Sequence, residues 1–338
     1  MVKARKYVVV KEFDGLPKRE DFEIVEYELP PIKKGEILVK VEWVSVDPYM
    51  RVYRPFPVPY DQGGYQVGLV IESKASKYPV GTRVLSHKGW CDYAIIDTNK
   101  PYSDTDIFPD FYKIPDLSGF SNSLAIGAVG MPGASGYLGF LEVCQPKAGE
   151  TVVVTGAAGA VGSIVGQIAK IKGCKVIGFA GSDEKVKWLE GIGFDKAINY
   201  KTADIKTALQ EAAPNGVDCF FDNVGGEVSS IIIYQMNQGG RAVVVGSIST
   251  YNGDFSDMPK ATMLQFAILS KQLKIQGFSI GDPEARKRQP DAHKQLLKWI
   301  KSGQLKAREH VTEGFENLYD AFVGMLKGEN FGKAVVKL

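Results

Sequence analysis

Short apolar runs separated by turn-forming clusters dominate the first hundred residues. Residues 8–10, 37–46, 67–72, 82–85 and 93–96 are rich in β-branched and aromatic side chains. Between them lie Pro30-Pro31, Lys33-Lys34-Gly35, residues 55–59, Gly63-Gly64 and Pro79-Val80-Gly81. Side chains of the first kind pack well on a pleated surface, and Pro and Gly punctuate it. No long helical periodicity interrupts the runs, so this part is predicted to be a mostly-β compact barrel.

From about residue 120 the texture changes. A small-residue stretch, 125–136, precedes an apolar segment, 137–143, and strands then alternate with helices. Residues 151–155 form an apolar strand. Val161, Ile164, Val165, Ile168 and Ala169 follow at the spacing of an amphipathic helix, with Gly173 as its C-terminal stop. A strand at 175–179 leads through Ser182, a candidate N-cap, into a helix at 183–190. Further strands are predicted at 197–199, 219–221, 242–245 and 273–278. Such alternation implies an α/β fold with a doubly wound parallel (Rossmann) sheet. Helices at 294–301 and 316–327 precede a last strand, 333–337, with no partner left in sequence, so the tail is expected to return to the N-terminal domain. The predicted division is 1–127 with 309–338 against 128–308.

With 338 residues the chain exceeds one ordinary domain. Lys and Arg number 41 and Asp and Glu 39, a net charge of +2 that supplies no general field for nucleic acid or an anionic membrane. The four cysteines, Cys91, Cys144, Cys174 and Cys219, form no CxxC pair, which suits a reducing cytosol. The basic N-terminus has too short an apolar run for a signal peptide, and no stretch approaches a membrane span. A soluble cytoplasmic protein is therefore expected.

The strongest local signal is TVVVTGAAGAVGSIVGQIAK: strand, glycine turn, helix. Gly156, Gly159 and Gly162 are spaced GxxGxxG. Small residues there permit a tight turn and let the backbone approach a pyrophosphate, while the helix start presents free N–H groups. Gly159, Ala160, Val161 and Gly162 are the candidate contacts, although close packing in another α/β protein would use similar residues. An NAD site usually carries an acid about 20 residues past the glycines. Gly181 stands nineteen beyond Gly162, and the acid is missing. Ser182 and Lys185 can instead hold a 2′-phosphate, one by hydrogen bond and one as a point charge. Asp183 and Glu184, on the first helical turn, can point outward. Lys185 equally fits a solvated helix position. NADP(H) is the favoured cofactor.

A barrel followed by such a cofactor domain is the arrangement of medium-chain dehydrogenases and reductases. Catalytic zinc in that superfamily needs Cys and His ligands. The only histidines are His87, His293 and His310, and only His87 and Cys91 approach a ligand pair. No metal site is expected. Without a Lewis acid, alcohol oxidation loses its usual means of stabilising alkoxide, and reduction of a polarised C=C bond fits better.

The sequence resembles the zinc-independent prostaglandin reductase / leukotriene hydroxydehydrogenase group, also described as NADPH-dependent alkenal/one oxidoreductases, over nearly its whole length. The shared motifs are ELPP (28–31), VDPYMR (46–51), GMPG (130–133), AAGAVGSIVGQIAKIKGCKVIG, GSDEK, NYK (199–201), FDNVGGE, ISTYN and FENL…GMLKGENFGK. Residues 54–65 and 101–111 match poorly. The resemblance implies a GroES-like barrel domain completed by the C-terminal tail, and NADPH-dependent reduction of α,β-unsaturated ketones and aldehydes. It implies that Gly159–Gly162 meet the pyrophosphate and that Lys185 and Tyr200 surround the 2′-phosphate. Asn223 would contact the cofactor near its ribose. Val245, Gly246, Ser247, Ile248, Ser249, Thr250 and Tyr251 would pass along the nicotinamide half, with Phe278, Ser279 and Ile280 nearby and Asn330 reaching over from the tail. It also implies a homodimer through edge strands of the cofactor sheets, for which 242–245 and 274–278 are apolar enough. Local alternatives stand beside these roles: a strand-end aromatic for Tyr200, a turn cap for Asn223, a loop residue for Asn330.

Hydride transfer to the β-carbon of an enone leaves negative charge on the carbonyl oxygen, which requires positioned donors. Tyr251 and Tyr49 are the candidate catalytic residues, because a phenol of ordinary pKa ≈ 10 stays protonated at neutral pH. Tyr49 also fits barrel core, with Arg51 as a structural partner. The competing readings are an NADPH quinone oxidoreductase of the same superfamily and a non-catalytic NADPH-binding protein. The expected partners are small enones and enals.

Overall fold

A computed structural model describes residues 2–53, 57–100, 111–253 and 263–338, so 54–56 and 101–110 of the poorly matching spans lie outside the described residues. The chain divides into two compact units. One takes residues up to Gly127 with Glu309–Asn330 and Ala334–Leu338; the other takes Ala128–Arg308 with Phe331–Lys333. Three tail residues therefore group with the second unit, where the sequence reading placed all of 309–338 in the first.

The first unit is built from β1 (Val2–Val9), β2 (Phe22–Leu29), β3 (Glu36–Ser45), β4 (Tyr60–Asp61), β5 (Gln66–Ser73), β6 (Arg83–Ser86), β7 (Tyr93–Asp97) and β8 (Tyr112–Lys113). β1 pairs antiparallel with β2 along its whole length and with β4, making one sheet. β3 is the spine of the larger sheet, flanked by β5, β7 and a strand from the tail, all antiparallel. Its Ile37, Leu38, Val39, Val41 and Val44 are buried. Two sheet layers close over a core in which Trp90, 1% exposed, packs against the rings of Tyr7, Phe22 and Phe322. β1 begins six residues earlier than the apolar run at 8–10 indicates. β2 escapes the sequence reading because FEIVEYEL turns Glu23, Glu26 and Glu28 outward and shows no continuous apolar run.

The second unit opens with α1 (Met131–Leu138), continued by a π-helical turn at Gly139–Cys144. Then β9 (Thr151–Val154), α2 (Gly162–Ile171), β10 (Lys175–Ala180), α3 (Asp183–Gly191), β11 (Lys196–Asn199), α4 (Ile205–Ala212), β12 (Val217–Asp222), α5 (Gly226–Tyr234), β13 (Met236–Val244), α6 (Gln265–Lys271), β14 (Lys274–Gly277) and α7 (Pro283–Lys301) follow. Six parallel strands run in the order β11-β10-β9-β12-β13-β14, the doubly wound arrangement. β9 is buried at every residue, as a central parallel strand with helices on both faces must be. α7 is eleven residues longer at its start than the expected 294–301. Its N-cap Asp282 accepts from Glu284 N and Ala285 N, and the helix runs on through Pro290.

One expectation needs correction. Residues 242–245 were offered as an edge segment, but β13 is hydrogen-bonded to β12 on one side and β14 on the other. Only β14 and β11 lie at the sheet's ends. The chain closes with β15 (Glu309–Glu313), α8 (Leu318–Leu326) and β16 (Lys333–Lys337), and β16 pairs antiparallel with β3 from Val335↔Ser45 to Lys337↔Trp43. Among the described residues no helix is long and apolar enough to cross a membrane.

Candidate active site

The turn after β9 is shaped by backbone sterics. Gly156 has φ +58°, a left-handed conformation that glycine adopts without cost. A Cβ on Gly162 would overlap the Gly156 carbonyl and lie 2.8 Å from Ala157 Cα, so the helix can start here only on glycine. Ala157 N donates to Phe179 O (3.0 Å) and Gly159 N to Gly156 O (3.0 Å), fixing the turn to β10 and to itself. At the start of α2, Ser163 N already donates to Gly159 O (3.2 Å) and Ile164 N to Val161 O (3.1 Å), so the candidate donors to a ligand lie just before them. Ala160, Val161 and Gly162 occupy that start. Two glycines that the motif reading passed over bring α2 and the sheet together: a Cβ on Gly166 would overlap the ring of Phe194, and one on Gly178 would come within 2.9 Å of both Phe194 and Ala157 Cβ.

The tail passes beside this turn. Gly332 N donates to Ala158 O (2.8 Å), and Gly332 forms an isolated bridge with Gly159. Gly332 has φ +65°, and a Cβ there would overlap Arg308 O. Asn330, the tail residue singled out in the sequence, falls in the first unit; its neighbours Phe331 and Gly332 group with the cofactor unit.

A second cluster surrounds Gly181 at the end of β10. Ser182 caps α3, its Oγ accepting from Lys185 N (3.3 Å). Lys185 is only 8% exposed, which excludes the solvated-helix alternative. Its Nζ lies 5.4 Å from the Phe331 ring centroid, and the Arg308 guanidinium covers the same ring at 4.4 Å. Burial, and then the charge of Lys201, pull the Lys185 ammonium below the ordinary lysine value. A Cβ on Gly181 would stand 3.0 Å from Tyr200 Oη and 3.3 Å from Lys201 Cε. Tyr200 is 41% exposed and sits beside this corner, not in a core. Asp183 is drawn aside by Asn199 Nδ2 at 2.7 Å. Trp188, Lys201, Arg308 and Phe331 were missed in the sequence. Only Lys201, inside NYK, carried a local signal.

At the end of β12, Asp222 is the local hub. Its Oδ1 accepts from Thr155 Oγ1 (2.9 Å), Val224 N and Gly225 N (both 3.0 Å). Asn223 Nδ2 donates to Thr155 O (2.7 Å), so its amide is engaged in joining two strand ends. Val245, Gly246 and Ser247 leave β13, and residues Ile248–Thr250 form a 3-10 turn tied to the β12 end by Ile248 N to Asn223 O (3.2 Å) and Ser249 N to Val224 O (3.1 Å). Tyr251 Oη accepts from Ser247 N at 3.3 Å, a bond that uses a lone pair and not the phenolic proton. Phe278 N donates to Val244 O (2.9 Å), and its ring lies against Gly139. Ser279 and the buried Ile280 carry the chain into α7. Gly159–Gly162, Ser182, Lys185, Tyr200, Asn223, 245–251 and 278–280 thus all follow the C-terminal ends of parallel strands, where ligands bind in such folds.

Tyr49 belongs to the first unit. It packs against the barrel core, and its Oη is 3.2 Å from His87 Nε2. Arg51 is buried and donates to Gly15 O (2.8 Å), a structural role. Burial pushes the Cys91 thiol up to about 12, with Gln66 as its neighbour. Among the described residues no three His, Cys, Asp or Glu side chains are grouped to hold a metal ion.

Strand order, glycine turn and cationic corner together define a dinucleotide-binding protein of two units. A family model described as "N-terminal domain of oxidoreductase" matches residues 5–102, and one described as "Zinc-binding dehydrogenase" matches 160–302. The chain is 48% identical over 341 residues to prostaglandin reductase 1 of Bos taurus, covering 100% of both chains. It is 36% identical to a 2-alkenal reductase (NADP(+)-dependent) of Nicotiana tabacum, covering 98% of this chain and 97% of the relative. The crystal structure of CurA in complex with NADPH from Vibrio vulnificus superposes with a TM-score of 0.89 at 37% identity, covering 98% of each chain. The chain belongs to the medium-chain dehydrogenase/reductase family, in its zinc-independent prostaglandin and alkenal reductase group.

Proposed function

We propose that this protein reduces the C=C bond of α,β-unsaturated ketones and aldehydes, with 15-oxoprostaglandin-like enones and 2-alkenals as its substrate class. It is an NADP-dependent oxidoreductase acting on C=C bonds, and NADP(H) is its cofactor. The cofactor, when bound, supplies the hydride. The corner at Gly181, where Ser182, Lys185 and Tyr200 stand in place of an acid, supports NADP(H), and the likeness to a prostaglandin reductase and a 2-alkenal reductase carries the substrate class.

The residues fit that cofactor. Gly156, with its left-handed φ, and Gly162, where a Cβ would meet the Gly156 carbonyl, allow the tight turn that brings the start of α2 and its N–H groups to a pyrophosphate. Lys185 and Tyr200 hold the 2′-phosphate. Asn223 and residues 245–251 line the path towards the nicotinamide half, followed by Phe278, Ser279 and Ile280. Asn330 is the tail's candidate contact. Tyr251 is the candidate donor to the oxygen on which enolate charge develops, its hydroxyl placed by the bond it accepts from Ser247 N at 3.3 Å. Tyr49 is the barrel's candidate, its hydroxyl held by His87.

A homodimer fits the exposed apolar side chains of Phe266 and Leu269 on α6, next to the open edge strand β14. Steady-state NADPH oxidation with a 2-alkenal, a 15-oxoprostaglandin and a benzoquinone tests the substrate class. Turnover of the alkenal and the oxoprostaglandin with formation of the saturated carbonyl is expected. Turnover of the quinone alone would overturn the reading.

A further inference from the structure

We infer that Lys201 is a second phosphate-binding cation and sets the preference for the phosphorylated cofactor together with Lys185. The inference rests on the NADP(H) reading of the Gly181 corner and adds to it a residue that neither the glycine motif nor the missing acid singles out.

Two independent observations meet at this side chain. Sterically, Lys201 Cε lies 3.3 Å from where a Cβ on Gly181 would stand, so the lysine crosses the end of β10. Electrostatically, its charge is close enough to Lys185 to help lower that ammonium's pKa. Two lysines facing one small space repel each other, and one of them is already penalised by burial. A dianion between them reverses both terms, because each ammonium then gains an opposite charge.

Asp183, the first residue of α3, is held by Asn199 Nδ2 at 2.7 Å, and Asn199 Oδ1 in turn accepts from Lys201 N at 3.1 Å. One asparagine thus fixes the backbone that carries Lys201 and holds the Asp183 carboxylate. Tyr200, whose Oη is 3.0 Å from the same Gly181 position, completes the corner. The division of labour follows from exposure. Lys185 is buried, whereas Lys201 is exposed and meets the same corner as a point charge from the solvent side.

Dissociation constants for NADPH and NADH, read by cofactor fluorescence, and competition by 2′-AMP against 5′-AMP test this in the full-length protein. Wild type, Lys201→Gln, Lys201→Arg and Lys185→Ala are compared. Lys201→Gln is expected to weaken NADPH and 2′-AMP roughly tenfold, near the low end for a charge-assisted hydrogen bond. It should leave NADH and 5′-AMP within about twofold and flatten the salt dependence of NADPH binding. Lys201→Arg should restore most of the loss. Equal effects on both cofactors, or none on either, would overturn the role of Lys201 so long as Lys185→Ala still weakens NADPH selectively. If wild type binds NADH as tightly as NADPH and Lys185→Ala changes nothing, the phosphate reading of the whole corner falls with it.

Discussion

The two ends of the parallel sheet in the cofactor unit are built on opposite principles. Near the N-terminal ends of its strands, the half-buried charges Arg241, Glu150 and Asp218 are all paired or hydrogen-bonded. Arg241 and Glu150 form an ion pair at 2.6 Å, Arg241 Nε also donates to Cys144 O (2.8 Å), and Asp218 accepts from Thr151 N and Asn237 Nδ2 (both 2.8 Å). At the C-terminal ends, glycines allow a tight turn and the close approach of Tyr200 and Lys201, and lysines are brought towards each other. The first end spends its polar groups on holding strands together. The second keeps cations in a mutually unfavourable arrangement that an anionic ligand relieves. Stability and binding should therefore respond separately to changes at the two ends.

The largest effect is expected in the glycine turn. Gly162→Val drives a side chain into the Gly156 carbonyl, and backbone cannot rotate away as a side chain can. Binding of NADPH and NADH should be lost together, with about 3 kcal/mol of stability, the upper range for overpacking. Calorimetric titration and thermal melting check both; selective loss of NADPH would assign the turn to the wrong phosphate. Next is Tyr251→Phe, expected to lower kcat by roughly 10²–10³ as loss of an oxyanion donor does. The NADPH dissociation constant should hardly move. Near-wild-type turnover would remove Tyr251 from the mechanism.

Lys185→Ala should weaken NADPH by roughly 10–100-fold and NADH little, the range for a hydrogen bond to a charged group. The smallest effect belongs to the opposite end. Burial tends to raise the Glu150 carboxyl, but its bonds to Arg241 and Lys147 N outweigh that and hold it below the usual carboxylate value. Its stabilisation is therefore present above the unfolded pKa and is lost as pH falls through the folded one. Glu150→Gln should cost about 2 kcal/mol at neutral pH, flatten acid unfolding, and leave the NADPH-to-NADH ratio unchanged. A shift in that ratio would blur the contrast between the ends.

Acidity gives a further contrast. The Lys185 ammonium titrates below an ordinary lysine. NADPH affinity should thus decline with rising pH before 10.5, as the free protein loses that proton, while NADH affinity stays flat. Dissociation constants measured across the alkaline range check it. Parallel curves for the two cofactors would show that Lys185 does not face the phosphate.

What was readable in the sequence follows the same physics. The turn at Gly156–Gly162 could be found because its constraint is local: left-handed backbone and helix–turn contact lie within seven residues. The alternation of strands and helices was readable mainly because β9, β10 and β12 are buried and apolar at nearly every residue. The corner at Gly181 was half legible. Ser182 and Lys185 sit on the helix that begins there, whereas Lys201, Arg308 and Phe331 arrive from distant segments through tertiary packing. β2 was hidden by outward glutamates, and the first half of α7 by Pro290. The interior position of β13 depends on the order of strands, which residue pattern alone does not encode.

The ratio of kcat/KM for NADPH over NADH, measured with one 2-alkenal at low ionic strength, tests the phosphate corner most directly. A preference of roughly a hundredfold or more for NADPH is expected, collapsing towards unity in Lys185→Ala. Equal use of the two cofactors by the wild-type protein, or a preference for NADH, would contradict it.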